Sequence, residues 1–464
     1  MHRHLKRAVL LAVVGLLSVV AEAQQQPVAL QGTVVTPERV IKKGWVVVQN
    51  QKIIRISETD PKVPGALKVN TKGIIFPGLI DLHNHTQWNV FPRWRAGRLF
   101  SNRYEWRFHS EDYFKKVRDP SQAITPKFFC DMNTYGEVRA LVGGTTSILA
   151  TNPAPCIRGL VRNLDHYSGF YGDGKVARER IRHILEVRSQ HPTNSAEANR
   201  QIAALLEQVR QDLAADRLDA FLIHLSEGKP SDPLSKEEFK VLSQTEHLLT
   251  RKTVIIHGVA LGPAEFQTMH DAGASLVWSP RSNIELYGET MDIAAALDKG
   301  VQVALAPDWA ISGSSNMLDE LRYAALWNEK HLAGRLSERD LVEMATRIPA
   351  EMVRIVGKVG SIREGLYADL LVVSGDQSKP YHALIQTRPA DVELVMIGGA
   401  ALYGSSSLMR KLWPAAELED IRVGGEKSKL KTPLPVGSFR DIELRLREAL
   451  KQQGVALATL VEGN

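Results

Sequence analysis

The sequence predicts an α/β protein in which a parallel sheet covered by helices forms a (β/α)8 barrel, with β-rich segments from both ends of the chain beside it. Three observations predict this. Continuously apolar runs recur through the middle of the chain, each followed by an amphipathic helical window; short alternating β runs occupy both ends; and several of the middle runs close on a histidine or an aspartate. Strands apolar on both faces belong to parallel sheets buried between helices. Polar residues at the C-terminal ends of several such strands converge at the mouth of a barrel.

The 464 residues, 44% hydrophobic and 24% charged, can bury a large core and correspond to two or three domains at ~150 residues each. A formal net charge of +6 is modest for this length, and no dense basic stripe interleaved with aromatics is present. Nucleic-acid binding is therefore not indicated. The two cysteines, Cys130 and Cys156, cannot make a disulfide framework or a cysteine-based metal site, and read either as one bridge or as two buried thiols.

In chain order, the first element is a leader. "MHRHLKR" is a basic segment, "AVLLAVVGLLSVV" (Ala8 to Val20) is apolar but short for a membrane span, and "AEA" (Ala21 to Ala23) has the A-x-A form preferred for cleavage. Residues 1–23 thus read as a signal peptide, with an uncleaved anchor as the alternative, and no cysteine follows to suggest a lipoprotein. The expectation is an exported, periplasmic or secreted protein with no membrane attachment after cleavage.

Residues 24–74 carry short alternating β runs broken by Gly, Pro and Asn-Gln turns. Residues 75–360 hold the barrel pattern, including "GTTSILAT", "DAFLIHLSE", "KTVIIHG", "ASLVWSP" and "VQVALAPD". Residues 361–410 return to β runs, "YADLLVVSG" and "VELVMIGGAALYG", expected to pair with the first β segment. In residues 411–464, "GGEKSKLKT" (Gly424 to Thr432) reads as a mobile basic linker before a final helix through "DIELRLREALKQQ".

The candidate chemistry lies at the strand ends. In "FPGLIDLHNHTQW" an apolar run ends in His83 and His85, which face the same way if the strand's alternation continues. His224, His257 and Asp308 end later runs. A lone histidine on an apolar strand is ordinarily a core residue, but five polar groups at corresponding ends suggest a shared site. Three imidazoles and a carboxylate suit Zn²⁺ or Fe²⁺ with one position open for water. Beyond His224, Glu227 is placed to move a proton, with Gly228 allowing the chain to bend back.

Together, "PGLIDLHNH", "HLSEG", "VIIHGVAL", "SPRSNIELYG" and "VALAPDWAISGSSNMLDEL" resemble, in order and spacing, the amidohydrolase superfamily, across nearly the whole chain beyond the leader. The likeness is to its mononuclear-metal branch, which holds triazine hydrolases, cytosine and guanine deaminases and adenosylhomocysteine-type deaminases. It implies a small composite β-sandwich built from the two β-rich ends. It also implies one divalent ion on His83, His85, His224 and Asp308, Glu227 as proton shuttle, His257 at the attacking water or developing oxyanion, and Asp308 as an added proton acceptor. No lysine at a strand end suggests a second metal.

The sequence departs from that pattern at Trp278 and Ser279, where His-Cys-Pro is common, and at Pro307 and Trp309 around the aspartate. Trp278 reads either as a stacking surface for a flat ligand or as core, and Asn283 as a loop-orienting or substrate-contacting residue. "TQWNVFPRWRAGRLFSNRYEW" (Thr86 to Trp106) offers Trp88, Arg93, Trp94 and Arg95 to grip a planar or anionic small-molecule substrate. It serves equally as a structural lid or as a contact in a homo-oligomer. The expected activity is hydrolysis of a non-peptide C–N bond, either deamination of a heterocycle or cleavage of an amide or cyclic amide. The alternatives are an imidazolonepropionase-like or dipeptidase-like hydrolase, or a catalytically silent binding barrel.

Overall fold

The computed structural model describes residues 26–149, 160–164, 178–179 and 196–462. The leader and Cys156 lie outside them; Cys130, on the helix Asp119–Val142, is disulfide-bonded. The first strands are β1 (Val28–Val35), β2 (Val40–Gln49), β3 (Lys52–Ser57) and β4 (Leu67–Pro77). The barrel strands follow: β5 (Leu79–Asp81), β6 (Thr145–Ile148), β7 (Arg162–Asn163), β8 (Arg178–Glu179), β9 (Phe221–Leu225), β10 (Thr253–His257), β11 (Ser275–Trp278) and β12 (Val303–Leu305). The last are β13 (Leu370–Val373), β14 (Val392–Ile397), β15 (Ala400–Ser405), β16 (Leu418–Val423) and β17 (Glu426–Lys431).

The barrel strands form two parallel sheets, β5–β6–β7 and β12–β11–β10–β9–β8. The sheets meet through a parallel bridge between Asn84 and Asp308. Along the strands, Ile80, Leu82, Leu222, Val254, Ile256, Val277, Ala304 and Ala306 share an inner cluster with Ala350, Met352, Val353, Ile355 and Val359. The alternate residues Leu79, Phe221, Ile223, Leu225, Ile255, Leu276, Val303 and Leu305 pack outward in a cluster with helix residues such as Phe239, Phe266, Met269 and Leu318. Period-two alternation thus separates a filled interior from a helix-facing layer.

The β-rich ends join as one nine-stranded sheet, in which β4 pairs antiparallel with β13. Gly424–Thr432, expected to be a linker, is instead largely strand: β16 and β17 form an antiparallel hairpin on the sheet's edge. Gly424 (φ 57°) and Gly425 (φ 89°) supply the left-handed pair that a tight hairpin turn needs. Lysine content hid the alternation, for Ser428, Lys429 and Leu430 are buried while Lys427 stays outside. The final helix, Phe439–Gln452, buries Phe439, Ile442, Leu446, Ala449 and Leu450, one stripe of its surface.

Barrel and sheet are tied by a buried bidentate pair: Arg162 Nε donates to Asp369 Oδ2 at 2.6 Å and Nη2 to Oδ1 at 3.0 Å. Both side chains are at most 3% exposed. Removing one partner strands the other charge, so Asp369→Asn should destabilise the protein by roughly 3–5 kcal/mol, measured as a shift of the urea unfolding midpoint at unchanged slope.

Candidate active site

The sequence at the end of β5 places the first two histidines just beyond the strand, yet the extended ladder continues. Asn84 N donates to Leu149 O on one side and Asp308 N to His83 O on the other. His224 follows the inward parity of Leu222 on β9. His257 does not: Ile256 points inward, so simple alternation would turn the imidazole out, but a φ of 72° brings it into the mouth. Asp308 also has a positive φ, 67°. A non-glycine residue in this region is uncommon and costs about 1–3 kcal/mol.

The ligand atoms converge. His83 Nε2 lies 3.0 Å from His224 Nε2 and 3.1 Å from Asp308 Oδ1, and His85 Nε2 lies 3.4 Å from Asp308 Oδ1. Donors held 2.0–2.1 Å from a tetrahedral ion stand roughly 3.3 Å apart, so this set fits a divalent cation. His83 is common to two potential groups, one with His85 and His224, the other with His257 and Asp308. His83 Nδ1 is held by Ser279 Oγ at 3.0 Å, which leaves Nε2 for the cluster. Burial, with His83 and Arg103 nearby, keeps His224 well below the usual imidazole range and therefore neutral. Burial alone would raise the Asp308 carboxyl, but His83 and His85 hold it well below the usual range.

Behind the ligands runs a directed chain of hydroxyls. Trp309 Nε1 donates to Ser312 Oγ (2.5 Å), the Ser312 and Ser282 hydroxyls are 2.8 Å apart, and Ser282 Oγ donates to Asp308 Oδ2 at 2.6 Å. His257 Nδ1 lies 2.8 Å from Asn283 Oδ1, while Asn283 Nδ2 and Trp278 Nε1 both donate to Thr290 Oγ1.

Glu227 lies beside the cluster. Oε2 is 3.0 Å from Arg103 Nη1 and 3.6 Å from His257 Nε2, and Oε1 accepts the Tyr287 hydroxyl at 2.7 Å. Trp106 Nε1 in turn donates to that hydroxyl at 2.9 Å. Burial would raise the Glu227 carboxyl, but Arg103, His257 and the Tyr287 bond bring it below its ordinary value. Gly228 is needed for closeness, not for a left-handed turn. A Cβ there would come 2.2 Å from Ser235 Oγ and 2.7 Å from Ser101 O, where the loop bridges Asn102.

These groups open into a cavity of about 100 Å³ lined by His85, Trp88, His224, Glu227, His257 and Asp308, and also by Arg103, Trp106, Arg107, Tyr113 and Trp309. Trp88 is where the sequence suggests. Trp278, read either as a stacking surface or as core, is core and does not reach the cavity: it is fully buried in the outer layer because it has the outward parity opposite Val277. Asn283 is buried behind His257 and orients that ring. Arg93 is not in the lining: it bonds Ser312 O, Gly313 O and Glu462. Trp94 is buried with its Nε1 on Asp112, and Arg95 is exposed.

The missed arginines had a sequence signal. Asn102 caps the helix Arg103–His109 by accepting from Tyr104 N and Glu105 N, and a helix starting there puts Arg103, Trp106 and Arg107 on one face. Glu462 lies outside the cavity lining and pairs with two arginines, 2.5 Å from Arg93 Nη2 and 3.0 Å from Arg281 Nη2. The segment leading to it is anchored by Ala458 N on Val90 O at 2.9 Å.

The amidohydrolase family model matches residues 74–402. The 5-methylthioadenosine/S-adenosylhomocysteine deaminase of Caldicellulosiruptor saccharolyticus is 23% identical over 409 residues, covering 80% of this chain and 91% of the relative. The enzyme of the same name from Pyrococcus furiosus is 32% identical over 191 residues, 38% of this chain and 45% of the relative. In fold, a Xanthomonas campestris adenosine deaminase solved with bound zinc superposes with a TM-score of 0.63 at 18% identity, over 92% of this chain and 98% of that one.

Glu238 lies under the Glu227 loop, bonded to the Tyr104 hydroxyl and Ser226 N. Burial pushes its carboxyl up to about 7 from 4.5, against the lowering effect of Tyr104 and Arg103. The folded state therefore keeps a proton that the unfolded chain releases, and stability should fall as pH rises from about 4.5 to about 7. Glu238→Gln should remove that part of the slope, measured by urea denaturation of both proteins at pH 5, 6, 7 and 8.

Proposed function

The chain belongs to the amidohydrolase family and is a metal-dependent hydrolase of carbon–nitrogen bonds; from that premise we propose that it deaminates a planar nitrogen heterocycle outside the cytoplasm. The observation that carries this reading is the position of Glu227, a buried carboxylate beside His257 and the ligand cluster at the wall of an aromatic cavity. In the balanced reaction, an amidine-like ring carbon bearing an amino group and one water give the ring carbonyl and ammonia. The deaminase names of the relatives support this chemistry over amide cleavage.

We assign one ion, Zn or Fe, to His83, His85, His224 and Asp308. When bound, it supplies a Lewis acid that lowers the pKa of its water towards ~7. A single ion is supported by the lysines. Among the described residues the buried ones are Lys252 and Lys429, and Lys252 Nζ is committed to Asp216 Oδ1 (2.5 Å) and Leu218 O (2.8 Å).

The chain's own groups then divide the work. Asn283 Oδ1 accepts the Nδ1 proton of His257, so the neutral ring presents a lone pair at Nε2 and orients the attacking water by accepting one of its hydrogens. Glu227, ionised in the free enzyme, takes the water's proton and delivers it to the departing nitrogen. Asp308 is already engaged at both oxygens, by Ser282 and by the imidazoles. We therefore give the proton to Glu227 and leave Asp308 as ligand. The rings of Trp88, Trp106, Trp309 and Tyr113 hold the heterocycle.

Metal analysis of the purified protein should find close to one Zn or Fe per chain, lost in His224→Ala. Glu227→Gln should keep the metal but release ammonia from amino-heterocycles ~10²–10⁴-fold more slowly. Full activity of metal-free protein would refute the assignment.

Export is supported by the leader pattern and by the disulfide at Cys130, which is at home in an oxidising compartment. Mass spectrometry of protein from the native fractions should find an N-terminus near Gln24. An intact leader on cytosolic protein would count against it.

A further inference from the structure

We infer, resting on the deaminase reading, that the substrate carries a carboxylate on its planar ring, and that Arg103 and Arg107 receive it. Both arginines line the same cavity as His224, Glu227, His257 and Asp308. They stand four residues apart on the helix Arg103–His109, and so share a face.

Arg103 is buried. One Nη is committed to Glu227, which fixes the plane of the guanidinium, while its buried Nε has no partner. A buried donor without a partner is rare in a native protein and marks where an acceptor belongs. A rigid guanidinium fork suits a planar carboxylate. Arg107, half-buried, adds a second cation one turn nearer the helix end.

Among the lining carboxylates, Asp308 faces the imidazoles, and Glu227 is bonded to Arg103 and Tyr287. The remaining walls are the flat rings of Trp88, Trp106, Tyr113 and Trp309, and among the described residues no aliphatic side chain contributes. A flat, ring-walled space with two guanidinium groups on one side selects a flat anion. The volume of about 100 Å³ favours a carboxylate set directly on the ring over a phosphate on a ribose arm.

The test uses the full-length, metal-loaded protein and paired amino-pyrimidines, amino-triazines and amino-purines, each with and without a ring carboxylate. The carboxylated member should win in kcat/KM by about tenfold or more, as charge-assisted hydrogen bonds would give. Arg107→Leu should bring that ratio towards one, mainly through KM, with the metal content unchanged. Arg107→Lys, which keeps the charge but loses the fork, should fall between. Neutral members preferred by the wild type, or a preference untouched by Arg107→Leu, would overturn the inference while leaving the deaminase reading intact. Should no pair release ammonia from metal-loaded protein, the deaminase reading fails, and calorimetric titration with the same pairs decides this one: tighter binding of the carboxylates supports it, and equal binding refutes it.

Discussion

The mouth of this barrel depends on Asp308. Its backbone bridges the two parallel sheets through Asn84, its Oδ1 faces two imidazoles, and its Oδ2 accepts a serine hydroxyl. A buried carboxylate is expensive unless every lone pair is used. Here the compensation comes from three directions at once. The positive φ that aims the side chain is a local cost carried by the surrounding packing. Closure of the sheets and assembly of the ligand set are therefore one event: a chain that failed to bring β12 beside β5 would lose both.

Much of this was legible in the residues themselves. His83, His85, His224, His257, Asp308 and Glu227 stand at or just past the ends of apolar runs, and the fold brings all six together, because strand order in a parallel barrel preserves which end of each run faces the mouth. What could not be read was facing. Strands buried on both sides show no apolar–polar alternation, so nothing in "ASLVWSP" distinguished a pocket-facing Trp278 from one packed against helices. The left-handed turn at His257 likewise reverses a parity that the letters alone would assign outward. Of the Trp- and Arg-rich stretch after His85, Trp88 lines the cavity, but the arginines that line it are those after the Asn102 cap, and Arg93 bonds the backbone of a neighbouring loop instead. The hairpin at Gly424 and Gly425 was lost for a different reason, because lysine stems can cover apolar surface and so pass for linker.

Electrostatically, the site separates two kinds of work. On the ligand side, burial keeps His224 and His257 below the usual imidazole range, while His83 and His85 hold the Asp308 carboxyl well below its own. The opposite wall alternates cation and anion, Arg103 against Glu227, with Tyr287 and Trp106 donating along a single line. Burial raises the Tyr287 hydroxyl well above its usual range, so it remains a donor throughout. The Glu227 carboxylate is thus held in one rotamer by partners of fixed polarity, an arrangement that would cut the reorganisation a proton transfer through it needs.

Glu462 joins two arginines that lie far apart in the sequence, Arg93 and Arg281. Arg93 in turn donates to the Ser312 and Gly313 carbonyls, so this one carboxylate steadies the backbone that follows Asp308 and Trp309. The rigidity of the loop after Asp308 is therefore borrowed in part from a distant stretch of the chain, delivered as leverage through the Arg93 side chain.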